Sequence, residues 1–197
     1  MSATHRLLLP LLLAALAPLT VAACSKTDEP PPGAVPPSRS AETSKPAPAP
    51  KPGADITWDA PPSFIKADNP SPMRKATYKV IHAEGDSEDG DLSISSAGGT
   101  VELNVARWKA QFEKSGEPNL ENRKVGDLDV TVVGLEGTFS GGMPGAAPSA
   151  PKPGFALLGA IVKTPGGLFF FKLTGPRKTI VGVRPDFDKL IASVRLR

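Results

Sequence analysis

Residues 155–174 read FALLGAIVKTPGGLFFFKLT, two apolar runs separated by a turn signal. Pro165-Gly166-Gly167 is typical of a hairpin turn, so residues 155–164 and 168–174 are predicted to be paired strands. Both runs are apolar at consecutive positions, which is the pattern of strands that are covered on both faces. The sheet that contains them is therefore predicted to carry a layer of structure on each side.

Three earlier segments are also predicted to be strands: residues 73–81, 92–95 and 128–138. In the first two, apolar and polar side chains alternate, which indicates strands with one wetter face. The alternating positions of the second segment are Leu92, Ser93, Ile94 and Ser95.

Two helices are predicted to supply the flanking layers. In residues 100–115, one helical stripe consists of Val101, Val105, Trp108 and Phe112. Gly116 and Pro118 are expected to end this helix. The C-terminal helix is expected to have Pro185 in its first turn, and its apolar residues are Phe187, Leu190, Ile191 and Val194. The predicted fold class is α+β, a mainly antiparallel sheet flanked by helices on both faces.

The rest of the chain differs in composition from this domain. Residues 25–54 are rich in proline and nearly lack large apolar side chains, so residues 24–54 are predicted to be a disordered linker after the leader. Residues 55–197 are predicted to form a single domain, large enough to bury a core without disulfides. Within it, residues 140–154 are a long loop, either a disordered insertion or a partner-binding or gating loop.

Residues 1–23 have the organisation of a signal peptide. Arg6 precedes an apolar run at residues 7–19, and two small residues precede Cys24. The alternative is a membrane-spanning helix, which needs about 20 apolar residues. This run is shorter and contains two prolines.

Val21-Ala22-Ala23-Cys24 resembles the bacterial lipobox. The resemblance implies cleavage before Cys24, attachment of lipid (including palmitate-like fatty chains) to its sulfur, and membrane anchoring. By the same resemblance Ser25 favours the outer membrane, with the domain facing the periplasm. The alternative is an ordinary secretory signal with a chance cysteine. Cys24 is the single cysteine of the sequence, so no internal disulfide can form.

The folded part resembles a family of bacterial lipoprotein domains and, more distantly, the PsbP-like α/β/α sandwich. The segments that carry the resemblance are GDLSISSAGGTVELNVARWKAQF (90–112), LLGAIVKTPGGLFFFKLTGP (157–176) and FDKLIASVRL (187–196). PsbP-like domains are commonly accessory or assembly factors, so the resemblance implies a non-catalytic role.

The residues that several classes of function require are missing from this sequence. The net charge is only +3, without the basic patch that nucleic-acid binding requires. After the leader, His82 is the one histidine, and the motifs of serine hydrolases, phosphate loops and zinc proteases are missing. The protein is therefore predicted not to be an enzyme and to need no cofactor or metal.

Two polar segments are candidate ligand sites. The first is an acidic loop with Asp86, Glu88, Asp89 and Asp91. Its carboxylates could meet a hard cation, but the EF-hand spacing fails, and a solvated loop is the alternative. The second segment is Gly98-Gly99-Thr100, whose amides could attract an anion at a helix start. Thr100 could equally be an ordinary N-cap.

The leading hypothesis is a membrane-anchored envelope lipoprotein that binds a protein or assists assembly without catalysis. The alternative is an envelope module that binds a small ligand or an ion.

Overall fold

The computed structural model describes residues 55–141 and 150–197. The predicted signal peptide, Cys24 and the linker lie outside these residues, as does the 142–149 part of the long loop. In the described ranges, no helix is long and apolar enough to cross a membrane.

The described residues form ten strands and two helices. The strands are β1 (Ile56–Thr57), β2 (Ile65–Ala67), β3 (Arg74–Val80), β4 (Gly90–Ala97), β5 (Phe112–Glu113), β6 (Asn119–Val125), β7 (Leu128–Phe139), β8 (Lys152–Thr164), β9 (Gly167–Pro176) and β10 (Arg195–Leu196). The helices are α1 (Val101–Lys109) and α2 (Arg177–Ala192). Eight strands form one sheet in the order β2-β3-β4-β9-β8-β7-β5, and β6 also pairs with β7. Strands β1 and β10 form a separate pair, and every pairing is antiparallel. The predicted antiparallel sheet with two helices is confirmed.

The β8–β9 hairpin lies inside the sheet, as its apolar sequence predicts. Thr164 pairs with Gly167 across a two-residue turn. Gly167 has φ +130°, a conformation that residues with a Cβ rarely adopt. The Thr164 hydroxyl donates to the carbonyl of Gly167 at 3.0 Å and accepts from the amide of Gly166 at 3.2 Å. The turn is therefore fixed by its own residues.

Buried side chains of β8 alternate between two core clusters. Ala156, Leu158, Ala160 and Val162 belong to the first cluster. Phe155, Leu157 and Ile161 belong to the second. Because successive side chains of a strand point to opposite faces, the clusters lie on opposite faces of the sheet. Helix α2 contributes Phe187 and Leu190 to the first cluster, whereas α1 contributes Val105 and Trp108 to the second.

Helix α1 is shorter than predicted, and the expectation that Gly116 and Pro118 end it is wrong. It ends at Lys109, and Phe112 belongs to β5, where it pairs with Phe139 at the sheet edge. The rings of these two phenylalanines lie 5.1 Å apart. Phe112 is buried in the same cluster as Trp108. The apolar spacing therefore identifies a core residue correctly, although the backbone at Phe112 is extended and not helical.

Helix α2 begins at Arg177, and the expectation that Pro185 lies in its first turn is wrong. Pro185 is inside this 16-residue helix. Apolar residues before it, Ile180 and Val183, are buried in the first cluster. Burial of these two side chains stabilises the helical turns before Pro185, although proline disfavours the interior of a helix.

The strand edges also differ from the sequence prediction. Periodicity does not indicate β6, because most of its residues are exposed at the sheet edge. Strand β8 already begins at Lys152 and β7 reaches Phe139, so the connection between them is shorter than the predicted 140–154 loop.

Candidate functional site

Each carboxylate of the predicted acidic loop has a protein partner of its own. Glu88 pairs with Lys152, Asp89 with His82 Nδ1 at 2.7 Å, and Asp91 with Arg74 at 3.4 Å. The hydrogen bond from His82 lowers the pKa of Asp89. In the described part of the chain, no three metal-ligating side chains are grouped to hold an ion.

Asp86 binds the start of helix α2. Its Oδ2 accepts from the amide of Thr179 at 2.9 Å and from the hydroxyl of Thr179 at 2.6 Å. The same hydroxyl accepts from the amide of Ala83 at 2.9 Å. Since Pro176 at the N-cap has no side-chain cap, Asp86 performs that role from a distant loop.

The Gly98-Gly99-Thr100 segment is bonded to its own helix. Thr100 Oγ1 accepts from the amide of Leu103 at 3.2 Å, as an N-cap does. The buried Asn104 donates to the carbonyls of Thr100 at 2.8 Å and Gly98 at 3.3 Å. The pKa of Glu102 is lowered by hydrogen bonds from its own amide and from the Thr100 hydroxyl. The chain itself thus supplies negative charge at this helix start.

A cavity of about 780 Å³ lies on the same face of the sheet as α1. We call it the β4 pocket, because alternate residues of β4 contribute Asp91, Ser93 and Ser95 to its lining. Strand β9 contributes Phe170, Lys172 and Thr174, and α1 with the residues after it contributes Asn104, Arg107, Trp108 and Gln111. Two members of the acidic loop, Glu88 and Asp89, line it beside Asp91, whereas Asp86 and Gly98–Thr100 do not.

The sheet register explains why the pocket forms over β4. Ser93 pairs with Thr77 on one side and Lys172 on the other, and Lys172 pairs with Gly159. A Cβ on Gly159 would lie 2.3 Å from Trp108 Cζ3, so the indole occupies the space above that glycine. The four paired residues form one row across the sheet. Helix α1 covers the row at Gly159 on β8, and Ser93 on β4 faces the cavity.

Two cations of the pocket have no carboxylate partner. Arg107 Nη1 donates to the amide oxygen of Asn104 at 3.2 Å, and Lys172 Nζ donates to Gln111 Oε1. Within residues 55–141 and 150–197, neither cation lies in an ion pair. The other two pocket cations, Arg74 and Lys152, each bind a carboxylate.

Lys172 is the most perturbed of these groups. It lies between the fully buried Phe171 and Leu173 in sequence, and its Nζ is 5.6 Å from the centroid of the Phe139 ring. The pKa of Lys172 is lowered from 10.5 to about 8, chiefly by burial and then by repulsion from Arg74, while attraction to Asp91 partly opposes both. Lys172 is therefore still mainly protonated at pH 7, in a setting that disfavours the charge.

Lys172 is not among the residues predicted from the sequence, although a signal for it is present there. A lysine directly follows an apolar run that ends in three phenylalanines, and Ser93 and Ser95 mark a wetter face on β4. Bringing these together requires the β4–β9 pairing, which the local pattern does not reveal.

A second cavity of about 430 Å³ lies between α2 and strands β7 and β8. Its one cation, Arg184, is paired with both Glu121 and Asp188. This cavity therefore has no comparable free charge, and the β4 pocket is the better candidate site.

Comparisons with known proteins give no assignment of function. No family model matches the chain, and no curated protein matches it. Among solved structures, cyanobacterial PsbP (CyanoP) from Synechocystis sp. PCC 6803 is similar at 14% sequence identity and a TM-score of 0.45. The alignment covers 73% of this chain and 94% of that one.

Proposed function

We propose that this protein is a non-catalytic binding module of the bacterial cell envelope, anchored to a membrane by lipid on Cys24, and that the β4 pocket is its binding site. We further propose that its domain is a three-layer α/β/α sandwich of the PsbP-like type. The two core clusters on opposite sheet faces, one with each helix, support that architecture.

The observation that carries the binding role is Lys172. A charge that loses hydration is disfavoured unless it gains a partner, and a perturbed titratable group in a cavity is a common mark of a functional site. The volume of about 780 Å³ lies in the range of small-molecule sites. A bound anion would supply the carboxylate partner that Lys172 lacks among the described residues.

The hydrogen bonds of the pocket support binding in preference to catalysis. The Ser93 hydroxyl donates to the carbonyl of Lys172 at 3.4 Å. His82 does not line the pocket, and its side chain is hydrogen-bonded to Asp89. A serine nucleophile needs a base within hydrogen-bond reach. Among the described residues, the hydrogen bond of the Ser93 hydroxyl goes to this backbone carbonyl and not to a side-chain base.

A thermal-shift panel of anionic, neutral and cationic small molecules tests the pocket in the purified full-length protein. At about 100 times its Kd a ligand adds about 2.7 kcal/mol, which raises Tm by several degrees. The Ser95→Trp variant, in which an indole fills the pocket, should lose the response. The matched control is Ser87→Trp in the exposed loop before β4, which should keep the response. If no compound stabilises the wild type, the pocket is not a small-molecule site.

A protein partner is the second candidate, favoured by exposed apolar side chains near the pocket. Ile65 is 50% exposed, Met73 69% and Ile81 59%. Ile65 pairs with Lys79, Ile81 directly follows the end of β3, and Met73 lines the pocket. A photo-crosslinking residue at Met73 in living cells should capture one protein, while the same residue at Ser87 should not. Equal capture at both positions would contradict a docking role.

Anchoring is tested separately with radioactive palmitate. The wild type should take up the label and fractionate with the outer membrane, and the Cys24→Ser variant should remain unlabelled. A Cys24→Ser variant that carries as much label as the wild type would exclude the anchor.

A further inference from the structure

The charges that line the β4 pocket indicate what it binds. Four cations and three carboxylates line it: Arg74, Arg107, Lys152, Lys172, Glu88, Asp89 and Asp91. Two carboxylates pair with lining cations, and the third, Asp89, pairs with His82. Positive charge therefore remains on Arg107 and Lys172.

Four aromatic side chains are also part of the pocket lining. They are Trp108, Phe139, Phe155 and Phe170. Phe139 and Phe155 are stacked with ring centroids 6.1 Å apart, and Trp108 meets Phe170 edge-on at 6.0 Å. Such a surface favours a ligand with an apolar body that can contact ring faces.

Resting on the proposed function, we propose that the ligand of the β4 pocket is a small organic monoanion, a carboxylate with an aromatic or aliphatic body. Its carboxylate binds Lys172, with Arg107 as the second cation, and its body lies against the phenylalanine rings. The hydroxyl group of Ser95 lies on the same floor of the pocket and can donate to it.

The three acidic residues of the lining favour a ligand with a single negative charge. Glu88, Asp89 and Asp91 line the same cavity, and they would repel a ligand that carries several negative charges. With four cations and three carboxylates the lining carries a net charge of +1, which a single carboxylate neutralises without requiring the existing ion pairs to break. A polyphosphate or nucleic acid fits this distribution poorly.

Binding of an anion should be coupled to proton uptake by Lys172. The pKa of Lys172 is about 8 in the empty pocket, lowered chiefly by burial. A carboxylate beside it favours the ammonium form and raises that pKa. The charged groups that face this cavity are Arg74, Arg107, Lys152, Glu88, Asp89 and Asp91. Because the pKa of Lys172 is about 8, the proton uptake of this group is measurable just above that pH.

Calorimetry with matched acids and amides tests this ligand class. The probes are phenylacetate, 4-phenylbutyrate and naphthylacetate, each beside its neutral amide, titrated into purified full-length protein. At least one acid should bind tenfold or more tightly than its amide. The Lys172→Met variant should bind that acid at least tenfold more weakly. Lys163→Met removes an exposed lysine on β8 and should bind the acid as the wild type does. This variant also controls for partition of the probe into the detergent that holds the lipidated protein in solution.

The proton count gives a second, independent readout. At pH 8.5, titrations in two buffers of different ionisation enthalpy should show uptake of roughly half a proton or more by the wild type, and none by Lys172→Met.

Amides that bind as tightly as their acids would overturn the anion class and leave the pocket as a binding site. Normal binding of the acid by Lys172→Met would overturn the anion class in the same way. If no acid or amide binds, and no member of the wider thermal-shift panel does, the proposed binding function falls as well.

Discussion

Replacing Lys172 with methionine should make the protein more stable at neutral pH. The substitution keeps an unbranched side chain of similar length and removes the ammonium group. Lys172 is partly buried on β9 and has no carboxylate within ion-pair distance among the described residues. Exchanging a poorly compensated buried charge for an apolar side chain is commonly neutral or stabilising.

The magnitude follows from the lowered pKa of Lys172. A fall from 10.5 to about 8 corresponds to about 3 kcal/mol of destabilisation at pH 7. Partial exposure reduces this cost, and the substitution leaves Gln111 without its lysine donor, which costs about 1 kcal/mol. We therefore expect the free energy of unfolding of Lys172→Met to exceed that of the wild type by about 1–2 kcal/mol at pH 7.

The pH dependence of this difference is the sharper test. Between pH 8 and 10.5 the unfolded chain retains the Lys172 proton and the folded protein loses it. The wild type therefore gains stability relative to the variant as pH rises through this window. Urea unfolding at pH 7 and pH 10 should show the advantage of Lys172→Met shrinking at the higher pH. Other lysines titrate in both proteins and cancel in the difference.

Two results would contradict this reasoning. One is a Lys172→Met variant that is less stable than the wild type at pH 7, which would mean that Lys172 has a stabilising partner. The other is an advantage that stays constant up to pH 10, which would mean that its pKa is not lowered. Lys163→Met, on the exposed side of β8, should show neither effect.

Other predictions concern packing and capping. Gly159→Ala should destabilise the fold by about 1–3 kcal/mol in urea unfolding, because its Cβ would lie 2.3 Å from the Trp108 ring. Gly182→Ala on the exposed side of α2 should instead stabilise by up to about 1 kcal/mol, since nothing lies within 4 Å; a loss equal to that of Gly159→Ala would refute the steric explanation. Asp86→Ala should cost about 1–2 kcal/mol by removing both hydrogen bonds to Thr179. Amide exchange at the start of α2 should then become faster, and unchanged protection there would show that Asp86 is not the cap.

The central hairpin can be predicted because its signal is local. Two consecutive apolar runs around Pro165-Gly166 specify paired strands whatever the rest of the chain does. The boundaries of the helices cannot be predicted in this way. Phe112 fits both a helical stripe and an edge strand, and Pro185 is tolerated inside α2 because burial of neighbouring residues outweighs its local cost.

The candidate site is only partly visible in the sequence. Glu88, Asp89 and Asp91 are predicted as one polar cluster, and all three line the pocket. Their partners come from elsewhere: Lys152 lies 64 residues from Glu88 along the chain. Asp86 is close to them in sequence and is predicted with them, although its carboxylate binds α2 instead.

The sequence by itself determined the antiparallel sheet, the two helices and the central hairpin, because alternation and turn residues act over a few neighbouring positions. Only the tertiary structure decided that Lys172 lines a cavity and has no carboxylate partner among the described residues. That result depends on strand register and on how far α1 extends over the sheet, and both are set by side chains that are distant along the chain.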